Sequence, residues 1–162
     1  ERYTAHETVS QGGVSLDGAE NASVQYAPCC RPVPGDPIVG YLGRGEGLVV
    51  HIADCPVASR LRHKDAERFI HVEWADEPAR PFETGVIVTV TNGKGVLARV
   101  ASAFAGAEAD IIHMDMGEEA AQEATDLRFL IAVRDSTHLD GVLRALNRTT
   151  SVLRANRTRP AS

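Results

Sequence analysis

The first part of the chain alternates hydrophobic and polar positions over short distances, which is the period of a β-strand. Four segments alternate or run apolar over the length of a strand: 23–26, 38–42, 47–51 and 69–74. A Gly-rich turn between the middle two predicts a β-hairpin, and Asp54 can cap a short helix over residues 55–63. Four prolines between Pro28 and Pro37 exclude helix and central strand there. Residues 22–75 are therefore predicted to form a compact β-rich domain with one helix.

Longer elements follow, and their hydrophobic positions switch between the strand period and the helix period. Strand patterns occupy 86–90, 110–116, 127–133 and 152–153, and helical stripes begin at Val96 and Leu139. This β-α-β-β-α-β order over residues 84–158 is typical of the ferredoxin-like fold, one antiparallel sheet with both helices on one face. The predicted fold class is therefore α+β. Three polar segments outside the two domains are predicted as a linker or disordered extension, a linker and a tail: 1–21, 76–83 and 159–162.

Composition narrows the class of protein. The 162 residues are 43% hydrophobic and 24% charged, near the average for soluble globular domains, and no apolar run approaches the roughly 20 residues that cross a bilayer. The first residues lack the apolar region of a secretory signal, so a cytoplasmic protein with no membrane partner is expected. The chain begins with Glu1 rather than Met, which predicts that it is cut from a longer protein.

The charge is −5 overall and unevenly distributed. An acidic balance argues against a domain whose whole surface binds nucleic acid. Seven acidic residues and no Lys or Arg lie between Glu108 and Asp126, whereas five arginines and no acid follow Asp140. The Arg-rich end either meets a local anionic partner or is a solvated helix face and tail.

The three cysteines are the first candidate for chemistry. Cys29, Cys30 and Cys55 are odd in number and two are adjacent, which is a poor disulfide framework, and reduced thiols fit a cytosolic protein. With His51 they supply the four Cys or His ligands that a structural zinc takes. Buried thiols beside an unliganded histidine, and a redox or metal sensor, are the other interpretations. A Cys–His catalytic dyad lacks a third orienting residue, and no catalytic signature stands out elsewhere.

The loop at residues 92–97 is the second candidate. Its glycines let a ligand approach the backbone, and the start of the following helix offers unpaired N–H groups to a carboxylate or phosphate; alternatively, the glycines only separate strand from helix. His113 and Asp115 share one face of the next strand, where they form a solvated surface or contact a polar ligand or neighbouring sheet. The opposite face of that strand is predicted to be apolar: Ile112, Met114 and Met116.

These motifs together carry a family resemblance. Residues 26–56 read YAPCCRPVPGDPIVGYLGRGEGLVVHIADCP, which closely resembles the conserved-cysteine or zinc-finger domain near the C-terminus of RelA/SpoT-type alarmone enzymes. Residues 84–158 are similar to the ACT domain that completes that family's chain. The resemblance implies a non-catalytic regulatory tail of a stringent-response enzyme. The parent would make and hydrolyse guanosine tetra- and pentaphosphate with catalytic domains that precede Glu1.

The resemblance also implies sites. The zinc ligands would be Cys29, Cys30, His51 and Cys55. The ACT ligand loop would comprise Asn92, Gly93, Lys94, Gly95, Val96 and Leu97, with Ile112 and His113 on an adjacent strand. In the family this loop usually begins with Asp, where this chain has Asn92. A branched-chain amino acid would place its carboxylate on the loop amides, its side chain against Val96 or Leu97, and its polar end near His113.

Further partners are implied by the same resemblance. They are the parent catalytic domains, a second copy paired through the ACT domain, and the phosphotransferase-system regulator of nitrogen metabolism. An alternative function is docking to ribosomal RNA and tRNA, which Arg31, Arg44 and the C-terminal arginines favour weakly.

Overall fold

The computed structural model describes residues 9–10, 13–18, 23–78, 81–116 and 123–159. The chain divides into two compact units, one with Glu1–Phe82 and Arg159–Ser162, the other with Glu83–Thr158. Among the described residues, no helix combines the length and the apolar character that crossing a membrane requires.

The first unit is built from short strands in two sheets. Its strands are β1 (Val9–Ser10), β2 (Gly13–Leu16), β3 (Val24–Tyr26), β4 (Ile38–Gly43), β5 (Gly47–Ile52), β6 (Phe69–Ile70) and β7 (Val72–Trp74). The predicted hairpin, β4 with β5, lies at the centre of a sheet of order β3-β5-β4-β6, and β1-β2-β7 form the other sheet. Helix α1 (Pro56–Lys64) follows β5. A core cluster draws buried side chains from both sheets: Val14, Leu16, Val24, Leu48, Val50 and Val72.

The linker predicted over residues 1–21 is wrong for residues 13–16. They form β2, which pairs in parallel with β7, and the side chain of Leu16 is fully buried. Two apolar residues at strand spacing, Val14 and Leu16, are enough to anchor a four-residue strand once a partner strand covers them. The other residues of that predicted linker lie outside the described part of the chain, apart from 9–10 and 17–18.

The single strand predicted over residues 69–74 is two strands. The chain leaves one sheet at β6, which pairs with β4, and enters the other at β7, which pairs with β2. His71 lies between them, and its carbonyl accepts a hydrogen bond from the N–H of Val14 at 3.1 Å. An alternating pattern cannot show such a change of sheet, because both strands keep the same period.

The second unit has the predicted ferredoxin-like order. Its elements are β8 (Phe82–Thr91), α2 (Val96–Gly106), β9 (Asp110–Met116), β10 (Ala124–Val133), α3 (Ser136–Asn147) and β11 (Val152–Arg157). The sheet has the order β11-β8-β10-β9, so β9 and β11 are its edges. Buried residues recur at helical spacing on α2 (Val96, Val100, Phe104), and the ring of Phe104 packs on that of Phe129 in β10 with their centroids 4.7 Å apart. The α+β prediction is confirmed.

Both edge strands shift register in the pairing with their neighbours. In β9 the shift changes which residues share a face of the sheet. A register shift sets Ile111 opposite Ile131, so Ile111, rather than Ile112, shares the face of Met114 and Met116. The pairing of β11 with β8 also shifts register, between Val152 and Arg154. The apolar face predicted for β9 is not buried: Ile112 is 49% exposed and Met116 is 51% exposed, because the strand lies at the rim of the sheet.

Candidate metal centre and ligand loop

Four side chains from three elements converge in the first unit. Cys29 and Cys30 follow β3, His51 lies near the end of β5, and Cys55 immediately precedes α1. A tight turn brings the adjacent cysteines to one side, since the N–H groups of Cys30 and Arg31 both donate to the carbonyl of Ala27, at 3.4 and 2.8 Å. Arg31 completes the turn in the left-handed region with a φ of 47°.

The distances fit a four-coordinate metal ion. The Sγ of Cys29 lies 3.5 Å from His51 Nδ1, 3.6 Å from Cys55 Sγ and 3.9 Å from Cys30 Sγ. All four ligand atoms lie within 4.8 Å of one another. A tetrahedral zinc with Zn–S bonds of about 2.3 Å separates its ligand atoms by roughly 3.5–3.8 Å. The four residues could therefore hold a metal ion, as the sequence predicted.

Burial sets the protonation of the cluster. Cys30, His51 and Cys55 are buried, and Cys29 is partly exposed. Burial raises the pKa of the Cys29 thiol, as does neighbouring Cys55, and burial likewise raises the pKa of Cys30. Burial lowers the pKa of His51. The metal-free Cys29 and Cys30 therefore remain thiols near pH 7, and a divalent cation would bind by displacing thiol protons.

Cys55 rather than Asp54 is the N-cap of α1, so the predicted cap is wrong. Pro56 occupies the first turn, and the Cys55 N–H donates to the carbonyl of Ile52 at 3.0 Å. The Cys55 side chain makes no capping hydrogen bond and is one of the four cluster ligands.

The predicted ligand loop joins β8 to α2, and hydrogen bonds to the start of β10 fix its first residue. Asn92 accepts a hydrogen bond from the Thr125 hydroxyl at 2.9 Å, and its N–H donates to the carbonyl of Glu123 at 3.0 Å. Gly95 is the N-cap of α2 with a φ of 76°, a conformation that favours glycine. The side chain of Val96, the first residue of α2, is buried, whereas that of Leu97 is 42% exposed.

The sheet order separates the loop from the other two predicted ligand residues. Ile112 and His113 lie on β9, and β10 lies between β9 and the strand that leads into the loop. Adjacent strands are about 4.8 Å apart. The two parts of the predicted site therefore lie roughly two strand spacings from each other in one chain.

Two features beside these sites were missed by sequence reasoning. Arg99 lies against Gly95, and its guanidinium donates to the Ser151 hydroxyl at 3.0 Å; a basic residue four positions into the helix was the available signal. In the first unit, a cavity of about 570 Å³ reaches Cys29 and His51. Its walls come from β4, β5 and α1, so no local sequence pattern could indicate it.

Comparison with known proteins matches both units. The sequence model of the RelA/SpoT RIS-domain family matches residues 14–75, and that of an ACT-domain family matches residues 78–157. The chain therefore carries a RelA/SpoT RIS domain followed by an ACT domain and is homologous to the C-terminal region of RelA/SpoT-type enzymes, which confirms the family resemblance.

Individual relatives agree with this assignment. The chain is 33% identical over 152 residues to the bifunctional (p)ppGpp synthase/hydrolase SpoT of Escherichia coli K12, covering 94% of this chain and 21% of that protein. It is 34% identical over 140 residues to the bifunctional (p)ppGpp synthase/hydrolase RelA of Mycobacterium tuberculosis H37Rv, covering 86% and 19%. The chain thus spans about a fifth of the length of these relatives. The crystal structure of the ACT domain from the GTP pyrophosphokinase of Chlorobium tepidum aligns with a TM-score of 0.43 and 14% identity, over 48% of this chain and 99% of that one.

Proposed function

We propose that this regulatory tail senses a small ligand, a branched-chain amino acid, or a protein partner, and switches the activities of (p)ppGpp synthetase and hydrolase domains in a longer parent chain. The observation that carries the proposal is the RIS and ACT domain pair matched side by side in one chain. The switch requires that the ligand bind two arrangements of the parent with different affinity.

The loop supports the ligand part of the proposal. Gly93, Lys94 and Gly95 are exposed at the start of α2, where backbone N–H groups and the helix dipole favour a carboxylate. Arg99 adds a positive charge one turn into the helix. Since Val96 is buried, Leu97 is the residue that we expect to meet the ligand's aliphatic side chain.

A second copy of the chain would cover the exposed edge of the sheet at β9. The edge strand β9 exposes Ile112 and Met116, and an unpaired strand edge is a template for another strand. We propose a homodimer through β9, in which the copies join their sheets and cover these side chains. Ile112 and His113 then face the dimer boundary instead of reaching the loop of their own chain. The phosphotransferase-system regulator stays a prediction from the resemblance.

Zinc is the proposed ion for the cluster. Three thiolates and one imidazole are a ligand set that zinc takes in structural sites, where four protein ligands leave no open position. The ion would tie the loop after β3, the end of β5 and the start of α1 to one point. Its role would be structural, and we assign no reaction to it.

Titration calorimetry with valine, leucine and isoleucine tests the sensing proposal. We expect heat of binding and chemical-shift changes in the loop. Leu97→Ala should weaken binding, and the matched control Leu153→Ala, at an exposed leucine (54%) on β11, should not. No heat and no shift changes with any of the three amino acids would contradict the proposal.

Docking to ribosomal RNA is the second candidate, favoured by the turn of the β4–β5 hairpin. Arg44 there is 73% exposed, and its ion pair with Asp65 is long, at 3.9 Å. Ribosome binding that weakens with salt and is lost when Arg31 and Arg44 are both changed to Glu would support docking. Binding that is unaffected by these changes would contradict it.

A further inference from the structure

We propose that the cysteine cluster is also a peroxide-sensitive site, in which Cys29 is oxidised first and Cys55 then closes a disulfide with it, so that the metal ion is released. This inference rests on the metal part of the proposed function. It adds a modification chemistry that a purely structural ion does not require.

Access distinguishes Cys29 from the other ligands. Cys30, His51 and Cys55 are buried, and Cys29 is the partly exposed member of the four. The cavity of about 570 Å³ is lined by Cys29 together with Pro28, Val49 and Val57. A molecule the size of hydrogen peroxide can therefore reach the Cys29 sulfur from this side.

The chemistry balances with hydrogen peroxide as the oxidant. The Cys29 thiolate attacks one peroxide oxygen, the O–O bond breaks, and sulfur loses two electrons to become a sulfenic acid, while the departing hydroxide takes a proton to form water. The Cys55 thiolate then attacks that sulfur, an S–S bond forms, and the S–O bond breaks to release hydroxide, which takes a proton from solvent to form a second water. The disulfide removes two of the four metal ligands.

Geometry selects Cys55 as the second cysteine. Its Sγ lies 3.6 Å from that of Cys29, whereas the Sγ of Cys30 lies at 3.9 Å. A disulfide between adjacent residues closes a strained ring, and the Cys30 sulfur already accepts a hydrogen bond from the Ile52 N–H at 3.2 Å.

The structure also indicates why oxidation would leave the unit folded. The disulfide would keep the Pro-rich loop linked to α1, as the ion would. Strand β5, which is linked to the cluster through His51, would be released. Around the cluster, a second apolar core packs these elements together: Ala27, Cys30, Ile52, Cys55 and Ala58.

The test uses the 162-residue chain loaded with zinc, freed of reductant and treated with hydrogen peroxide. A chromogenic chelator follows zinc release, dimedone traps sulfenic acid, and peptide mapping locates the label and the disulfide. We expect one zinc released as two of the three thiols disappear, the label on Cys29, a Cys29–Cys55 disulfide, and full recovery with dithiothreitol and zinc.

Each other outcome has a defined meaning. Zinc retained in excess peroxide, first labelling of Cys30 or Cys55, or a Cys29–Cys30 disulfide overturns this inference and leaves the metal proposal standing. A reduced chain that binds no zinc overturns both.

A pair of variants tests the access route without touching a ligand. Val57→Phe should narrow the cavity and slow zinc release several-fold. Ile70→Phe is the matched control, because Ile70 is a partly buried apolar residue that packs on the other core of this unit and is not among the residues that line the cavity. Equal rates for Val57→Phe and the unchanged chain overturn the route through the cavity.

Discussion

The two units of the chain are stabilised in different ways. The first has strands of two to six residues and holds, beside its apolar cores, a cluster of four side chains that could bind a metal ion, three of them buried. The second has strands of up to ten residues and two helices of 11 and 12 residues that cover one sheet. Small domains commonly need a metal or disulfide because their cores are limited. We infer that the first unit depends on its ion and the second does not.

Removing the metal should produce the largest difference in stability between the two units. When free zinc exceeds its Kd about 1,000-fold, chelation should lower the free energy of unfolding of the first unit by about 4 kcal/mol. Two-dimensional NMR before and after chelation should show shifted and broadened peaks for residues of the first unit and unchanged peaks for Glu83–Thr158. Equal disturbance of both units would contradict the division.

A core substitution should produce the opposite pattern. Phe104 is fully buried against Phe129, so Phe104→Ala should lower the stability of the second unit by about 3–5 kcal/mol. Denaturant unfolding gives the change, and zinc stoichiometry should stay the same. The exposed Leu153→Ala serves as control and should change stability by less than about 0.5 kcal/mol. Loss of zinc from Phe104→Ala would show that the units are not independent.

The metal-free first unit should also depend on pH. Burial lowers the pKa of His51 below its ordinary 6.5 and raises the pKa of Cys29 and Cys30 above 9.0. Below pH 6.5 the unfolded chain binds more protons at His51, and above pH 9.0 the folded chain holds more at the thiols. Stability rises with pH only where the unfolded state binds more protons, so the chelated protein should lose stability in both directions.

Chemical denaturation across this pH range measures the effect. The zinc-loaded protein should not show the alkaline loss, because its thiols are already deprotonated. A flat profile for the chelated protein would contradict the burial of these groups.

Asn92→Asp should change the free energy of unfolding least of these variants. Any change in ligand binding can therefore be assigned to the loop. An aspartate can still accept the Thr125 hydroxyl, so unfolding should change by less than about 0.5 kcal/mol. The new charge should pair with the ammonium group of a bound amino acid and tighten its Kd several-fold in calorimetry. Asn156→Asp, which adds the same charge on β11, is the control and should leave the Kd unchanged.

Much of this arrangement could be predicted from the sequence. The second unit follows from long alternating runs, and the cluster follows from the adjacent cysteines, His51 and Cys55. Other features depend on partners that are distant in sequence. Strand β2 needed β7 to cover Leu16, and the bond between Asn92 and Thr125 joins residues 33 positions apart. The register shift lies in the pairing of β9 with β10, so the pattern of residues within β9 could not indicate it.

The irregular edges of the four-stranded sheet have a consequence for solubility. Acidic Asp110 and Asp115 lie on β9, whereas Arg154 and Arg157 lie on β11, so opposite charges would draw the two edges of different molecules together. Head-to-tail contacts of this kind grow into open filaments when their rotation does not close a ring. On β11 the break in register between Val152 and Arg154 interrupts the ladder that a neighbour would extend, whereas β9 pairs regularly with β10 from His113 to Met116. One edge is thereby blunted while the other stays open to a second copy, so pairing of sheets would stop at two molecules.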